Sequence, residues 1–74
     1  MSLVTQPAYL TARESEVLRL MARGRTYAQI GEVLGVSLHT VTSHVRNTYR
    51  KLGVRSGAAA VMRAVELRLL GDTY

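Results

Sequence analysis

Three residues, Gly35-Val36-Ser37, are all that separates two amphipathic segments, and this link constrains the fold of the 74-residue chain more than any other feature. A connection that short does not let two helices lie antiparallel. With a glycine in it, it suits two helices crossing at a steep angle, the helix-turn-helix arrangement. Gly35 suits a left-handed backbone, Val36 is an apolar plug for a small core, and Ser37 is an N-cap for the segment that follows. Short glycine turns occur in many helical bundles, so function has to be read from surface chemistry.

The same punctuation runs along the chain. Thr11 to Glu14 is a T-x-x-E capping box, in which the hydroxyl takes the orphan amide three residues on and the carboxylate reaches back. Val17, Leu20 and Met21 follow at i, i+3 and i+4, and Gly24 supplies a stop. Thr26 to Gln29 repeats the box, with Tyr27, Ile30, Val33 and Leu34 on one face before Gly35. Ser37 with Thr40 opens a third helix, whose stripe is Val41, Val45, Thr48 and Leu52 before Gly53. Ser56 and Gly57 open a fourth, where Ala58, Val61, Met62, Val65 and Leu69 line up until Gly71. The expected fold is all-α: a compact four-helix bundle over residues 10–71 containing a helix-turn-helix. Residues 1–9, around Pro7, read as a tail or linker stub, and residues 72–74 as a short C-terminal tail.

Composition narrows the class. A chain of this size buries only ~60% of its unfolded surface, which makes one domain with a thin core and leaves no room for a layered α/β enzyme. Hydrophobic residues make up 47% of the chain, too many for disorder, and without Trp or Phe the core has to be largely aliphatic. The absence of cysteine removes disulfides, thiolate metal sites and thiol nucleophiles. No apolar run approaches the ~18 residues of a membrane span.

The formal net charge is +5, and its placement matters more than its size. From Val33 to Val65 there is no acid, while Arg46, Arg50, Lys51, Arg55 and Arg63 all fall there. The remaining cations are balanced by the remaining acids, so the whole excess lies in this window and points to an anionic partner. On a helical wheel Val45, Thr48 and Leu52 lie within about 40° of Val41. The opposite face carries His39, Ser43, Arg46, Asn47 and Arg50, with Thr42 at its flank. Arginine can grip guanine O6 and N7 in the major groove, and Asn, Ser and Thr can also meet base edges. Small side chains let the helix backbone approach the groove floor. Lys51 and Arg55 sit toward the helix end, within reach of flanking phosphates. A basic solvated helix face is the plain alternative, but the missing acids, the short polar residues and the turn in front favour DNA.

Other conspicuous residues read more plainly. His39 and His44 are turned ~140° apart on a helix and do not form a metal pair, so no metal is expected. His44, at the edge of the apolar stripe, reads as a packing residue. Glu14 serves the capping box, Glu16 lies three residues from Arg19, and Arg13, Glu14 and Glu16 together read as a surface charge cluster. No nucleophile, phosphate-binding loop or acid–histidine pair is present, so neither catalysis nor a cofactor is expected.

Residues 10–18, Leu-Thr-Ala-Arg-Glu-Ser-Glu-Val-Leu, resemble the L-T-x-R-E-x-E-V-L opening of LuxR/FixJ-type helix-turn-helix domains. Gly24 through Leu34 is similar to their G-x-S-N-K-E-I-A-x-x-L segment. Val36-Ser37, Thr40-Val41 and His44 match V-S-x-x-T-V-K-x-H, and Asn47 with Lys51-Leu52-Gly53-Val54 continues the likeness. The resemblance, over about residues 10 to 70, implies a C-terminal DNA-binding domain of a bacterial transcription regulator. Its third helix, residues 37–52 here, would enter the major groove, and its fourth, residues 57–70, would mediate dimerisation. The family's base-reading positions fall on Thr42, Ser43 and Arg46, and its backbone contacts near Ser37, Thr40, Arg50 and Lys51, with Tyr27 and Arg55 added as further candidates. Ala60, Ala64 and Leu67, on one flank of the fourth helix, are the expected dimer contact, because small residues beside a leucine allow close approach. Thr42 stands where the family often has Lys, and Gly31 where it usually has Ala. Ser56-Gly57-Ala58-Ala59 replaces an R-T-E-A-like start, removing a cation and a helix cap. Expected partners are double-stranded DNA, a second copy of the chain on that DNA, and RNA polymerase, with a cytoplasmic, nucleoid-associated location and no membrane. The chief alternative is a basic protein-interaction module that binds DNA without regard to sequence. An amphipathic membrane-surface helix would want Trp or Phe on its apolar face.

Overall fold

Serine and threonine caps start every helix in the computed structural model, which describes residues 10–70. The elements are α1 (Ala12–Ala22), α2 (Tyr27–Leu34), α3 (Leu38–Leu52) and α4 (Gly57–Glu66). This is the all-α, four-helix architecture that the punctuation predicts; residues 1–9 and 71–74, including both expected tails, lie outside the described residues. In α1 the Thr11 hydroxyl accepts from the Glu14 amide at 3.1 Å, and the Thr11 amide donates to the Glu14 carboxylate at 2.9 Å. Thr26 and Gln29 form the same reciprocal pair at 3.1 and 2.9 Å. Ser37 accepts from the Thr40 amide and Ser56 from the Ala59 amide, each at 3.1 Å. The altered start of the fourth helix therefore keeps a cap, contrary to expectation, because Ser56 takes the role. Each such cap is worth ~1 kcal/mol.

Between α2 and α3, Gly35 takes the left-handed conformation (φ 70°, ψ 33°), and the Val36 amide donates back to the Gly31 carbonyl at 2.9 Å. Gly31 is the element that lets the turn close: a Cβ there would lie 2.8 Å from the Val36 carbonyl oxygen. The buried face of α2 is accordingly Ile30 and Gly31, and Val33, expected on that face, is 61% exposed.

Two apolar clusters share the interior. Val17, Ile30, Val41 and Val45 form one, with Val36 packed against it. Leu18, Leu52, Ala60, Ala64 and Leu70 form the other. Adjacent Val17 and Leu18 put α1 against both, α3 runs across both, and Met21 and Tyr49 touch both. Thus α3 is gripped along its length, which fixes the face it turns outward.

The fourth helix is rotated from the expected register. Ala60 and Ala64 are fully buried, while Met62 and Val65 are 66% and 45% exposed. Alanines allow the α4 backbone to come close to Leu18 and Leu52, and a core this thin has no place for the longer side chains. Ala60 and Ala64 thus offer no surface to a second copy. The helix also stops at Glu66 rather than running to residue 70. Arg68 adopts φ 58°, the Leu69 amide donates to the Ala64 carbonyl at 2.8 Å, and Leu70 folds back into the core. Among the described residues no helix is long and apolar enough to cross a membrane.

Candidate nucleic-acid interface

The outward face of α3 follows from what it buries. Val41, Val45, Thr48 and Leu52 point into the core, and the Thr48 hydroxyl is satisfied by the His44 carbonyl at 2.7 Å, so a polar residue can serve in an apolar stripe. His39, Ser43, Arg46 and Arg50 are exposed, and Thr42, His44 and Asn47 are half-buried beside them. Among the described residues Arg46 and Arg50 form no ion pair, nor does Arg55 in the exposed turn after α3. Among the described residues nothing accepts from their guanidinium groups, which suits them to an outside acceptor.

The smaller candidates are more constrained. The Thr42 hydroxyl donates to the Leu38 carbonyl at 3.0 Å, which leaves its methyl group and an oxygen lone pair for other contacts. Ser43 is exposed. Besides capping α3, the Ser37 hydroxyl donates to that of Thr40 at 3.0 Å, so these two expected backbone contacts act as one joined pair at the helix start. Tyr27 is half-buried, its hydroxyl 3.5 Å from that of Tyr49. Tyr27, Thr42, Val45, Arg46 and Tyr49 line a shallow concavity of about 190 Å³. Burial, followed by the hydrogen bond and charge of Tyr27, pushes the Tyr49 phenol up to about 12, so it stays neutral and able to donate at ordinary pH.

Lys51 departs from expectation. Its Nζ lies 2.8 Å from Oε1 of Glu14, which is not part of a surface cluster but almost wholly buried, with a side-chain exposure of 4%. Burial alone would raise the Glu14 pKa. Hydrogen bonds from Lys51 and the Thr11 amide, together with the Lys51 charge, outweigh it and hold the carboxyl below its ordinary 4.5. Lys51 therefore ties the end of α3 to the start of α1 instead of standing free for phosphate. Glu16 pairs with Arg13 at 3.5 Å rather than with Arg19. Arg63 donates to the Leu52 carbonyl at 3.3 Å, closing the end of α3, and pairs with Glu66 at 3.7 Å.

Sequence reasoning missed Tyr49 and the Glu14–Lys51 tie. Tyr49 follows Val45 by four residues, and that spacing places it at the edge of the stripe. The tie spans 37 residues, and nothing local announces it.

The description "GerE: Bacterial regulatory proteins, luxR family" matches residues 8–64. The chain belongs to the luxR family. It is 45% identical over 62 residues to the transcriptional activator protein CarR of Pectobacterium carotovorum subsp. carotovorum, covering 84% of this chain and 25% of that protein. To the nitrate/nitrite response regulator protein NarP of Escherichia coli K12 it is 46% identical over 59 residues, covering 80% of this chain and 27% of NarP. Among solved structures, the transcription factor GerE aligns with a TM-score of 0.75 at 36% identity, covering 78% of this chain and 87% of GerE. The response regulator ChrA of a heme-sensing two-component system aligns at 0.81 and 37%, covering 89% of this chain and 33% of ChrA. The chain thus spans about a quarter of the length of the curated relatives named here. The luxR family consists of transcription regulators rather than enzymes, and the matched residues are its DNA-binding domain.

Proposed function

We propose that this luxR-family domain binds DNA sequence-specifically by placing α3 in the major groove. One observation carries the reading: α3 turns outward a face with short polar side chains, no acid and two arginines that are unpaired among the described residues, on a helix held along its length by the core. Arg46 is the guanine reader, through its bidentate fork. Thr42 and Ser43 flank it; with its hydroxyl proton already used, Thr42 offers its methyl to a thymine methyl or its lone pair to a base amino group. Arg50 and Arg55 supply phosphate contacts, with Ser37, Thr40 and Tyr27 at the other end of the face. From residue 37 to 52 the helix spans roughly 24 Å, enough to cross a groove ~12 Å wide.

A second copy on the same DNA would meet this one across the exposed side of α4. Leu67 remains a candidate, 36% exposed, and Met62 and Val65 replace the buried alanines. Full-length relatives named as an activator and a response regulator suggest that the domain serves a longer regulator, with RNA polymerase as its eventual partner. The test is selection of sites from random duplexes, followed by titration of a selected and a scrambled duplex at several salt concentrations. Phosphate contacts from Arg50 and Arg55 imply a slope of log K against log salt of about −2. A selected duplex binding at least tenfold tighter than the scrambled one supports the reading; equal affinities would favour the sequence-blind interaction module.

A further inference from the structure

At the centre of the outward face of α3 stands His39. It lies about 160° round the helix from Val41, between Arg46 at about 140° and Ser43 at about 200°, with Thr42 nearer the core at about 100°. Along the axis it precedes Thr42 and Ser43 by one turn and Arg46 by two. All four therefore fall within about 10.5 Å, inside the ~12 Å width of a major groove. The imidazole is exposed, and among the described residues it has no hydrogen-bond or ion-pair partner. No carboxylate holds a proton on it. α3 has no acid, Glu14 and Glu16 of α1 are tied to Lys51 and Arg13, and Glu66 of α4 is tied to Arg63. Glu32 of α2 forms no ion pair with it, and Arg19 completes the charged set of the three helices packed against α3. Histidine is the side chain whose charge changes between pH 5 and 8. Protonated, the ring only donates; neutral, it donates at one nitrogen and accepts at the other. Guanine shows the major groove two acceptors, N7 and O6, whereas adenine and cytosine each show an amino donor there.

We infer that His39 is a fourth base reader of α3, and that its protonation makes the base preference of the domain depend on pH. As the imidazolium it donates to N7 or O6 of a guanine on the helix-start side of the pair that Arg46 reads. Once neutral, the ring loses the charge that the groove attracts, and its bare nitrogen repels the guanine acceptors. The sign follows from linkage. DNA binds the charged form more tightly, so binding takes up a proton, and affinity for the guanine-bearing site rises as pH falls until the free ring is itself protonated. The inference rests on the major-groove reading and adds control by pH to it.

The test uses the whole chain and a half-site selected near pH 6, and measures Kd for that site and all its single-base variants at about pH 6 and about pH 8, with the melting temperature at each. Glu14, lowered from 4.5, and Tyr49, raised to about 12, do not titrate between these values. The wild type should favour guanine at one position by roughly fivefold near pH 6 and lose most of that preference near pH 8, with the pair read by Arg46 unaffected. His39→Ala should flatten the same position at both pH values and keep its melting temperature, because alanine suits an exposed helical site. His39→Arg, charged throughout, should hold the guanine preference at both. His44→Gln should behave as the wild type does; a pH dependence lost in His44→Gln and kept in His39→Ala would overturn the inference. If the wild type prefers its site equally at both pH values and His39→Ala keeps every preference, His39 reads no base and the major-groove reading stands alone. An equal loss on all variants in His39→Ala would make His39 a phosphate contact and overturn the inference as well. A wild type without site preference at either pH removes both.

Discussion

Arg50 and Lys51 are neighbours in sequence and cations of the same helix, yet the structure gives them different tasks. Arg50 is exposed and unpaired among the described residues, and Lys51 is bound to a buried carboxylate. Arg50→Ala should reduce the magnitude of the salt slope by ~0.9, whereas Lys51→Met should leave the slope unchanged and lower the melting temperature. Titrations of both variants over a series of salt concentrations separate the two roles, and equal slope losses would return Lys51 to the phosphate contacts. Glu14→Gln keeps the shape of the capping box but removes the charge that holds Lys51; urea unfolding should register a loss of ~1–2 kcal/mol at pH 7. The pH dependence has a definite sign. A carboxyl whose folded pKa is lowered contributes its stability above its unfolded value, near 4.5 here, and loses it as pH falls through the folded value. Melting temperature should therefore drop more steeply below pH 4.5 in the wild type than in Glu14→Gln, and parallel curves would deny the ion pair its role.

At the scale of elements, the helix starts were legible because capping is local chemistry: a hydroxyl and an amide three residues apart suffice to form Thr11–Glu14, Thr26–Gln29, Ser37–Thr40 and Ser56–Ala59. The face of α3 was legible for a similar reason, since its apolar stripe has one phase only. The face of α4 was not. Its apolar residues encircle the helix, and the choice fell to closeness of approach, which put Ala60 and Ala64 inside and left Met62 and Val65 out. Its end was hidden too, because the reversal uses Arg68 at φ 58° rather than the glycine three residues later. Left-handed backbone costs a non-glycine residue roughly 1 kcal/mol, so Arg68→Gly should raise stability by up to about that amount, measured by thermal unfolding. If α4 joins two copies, Val65→Glu should weaken cooperative binding to a two-half-site duplex while leaving single-half-site affinity and melting temperature unchanged. Unchanged cooperativity would move the dimer contact elsewhere.

For the whole molecule, a +5 charge has resolved into separate duties. Lys51 and Arg63 hold the end of α3 in place, through Glu14 and the Leu52 carbonyl, while Arg46, Arg50 and Arg55 remain unpaired among the described residues. Two copies reading one operator should place half-sites about 10 base pairs apart, a spacing that footprinting of a selected site measures directly. The measurement closest to the central proposal compares the base preferences of the wild type and Arg46→Ala across every single-base variant of a selected half-site. Reading by α3 in the major groove expects a loss of ~1–3 kcal/mol on the selected site and a flattened preference at one base pair, with the other positions kept. An equal loss on all variants, with every preference intact, would contradict it and make Arg46 a phosphate contact.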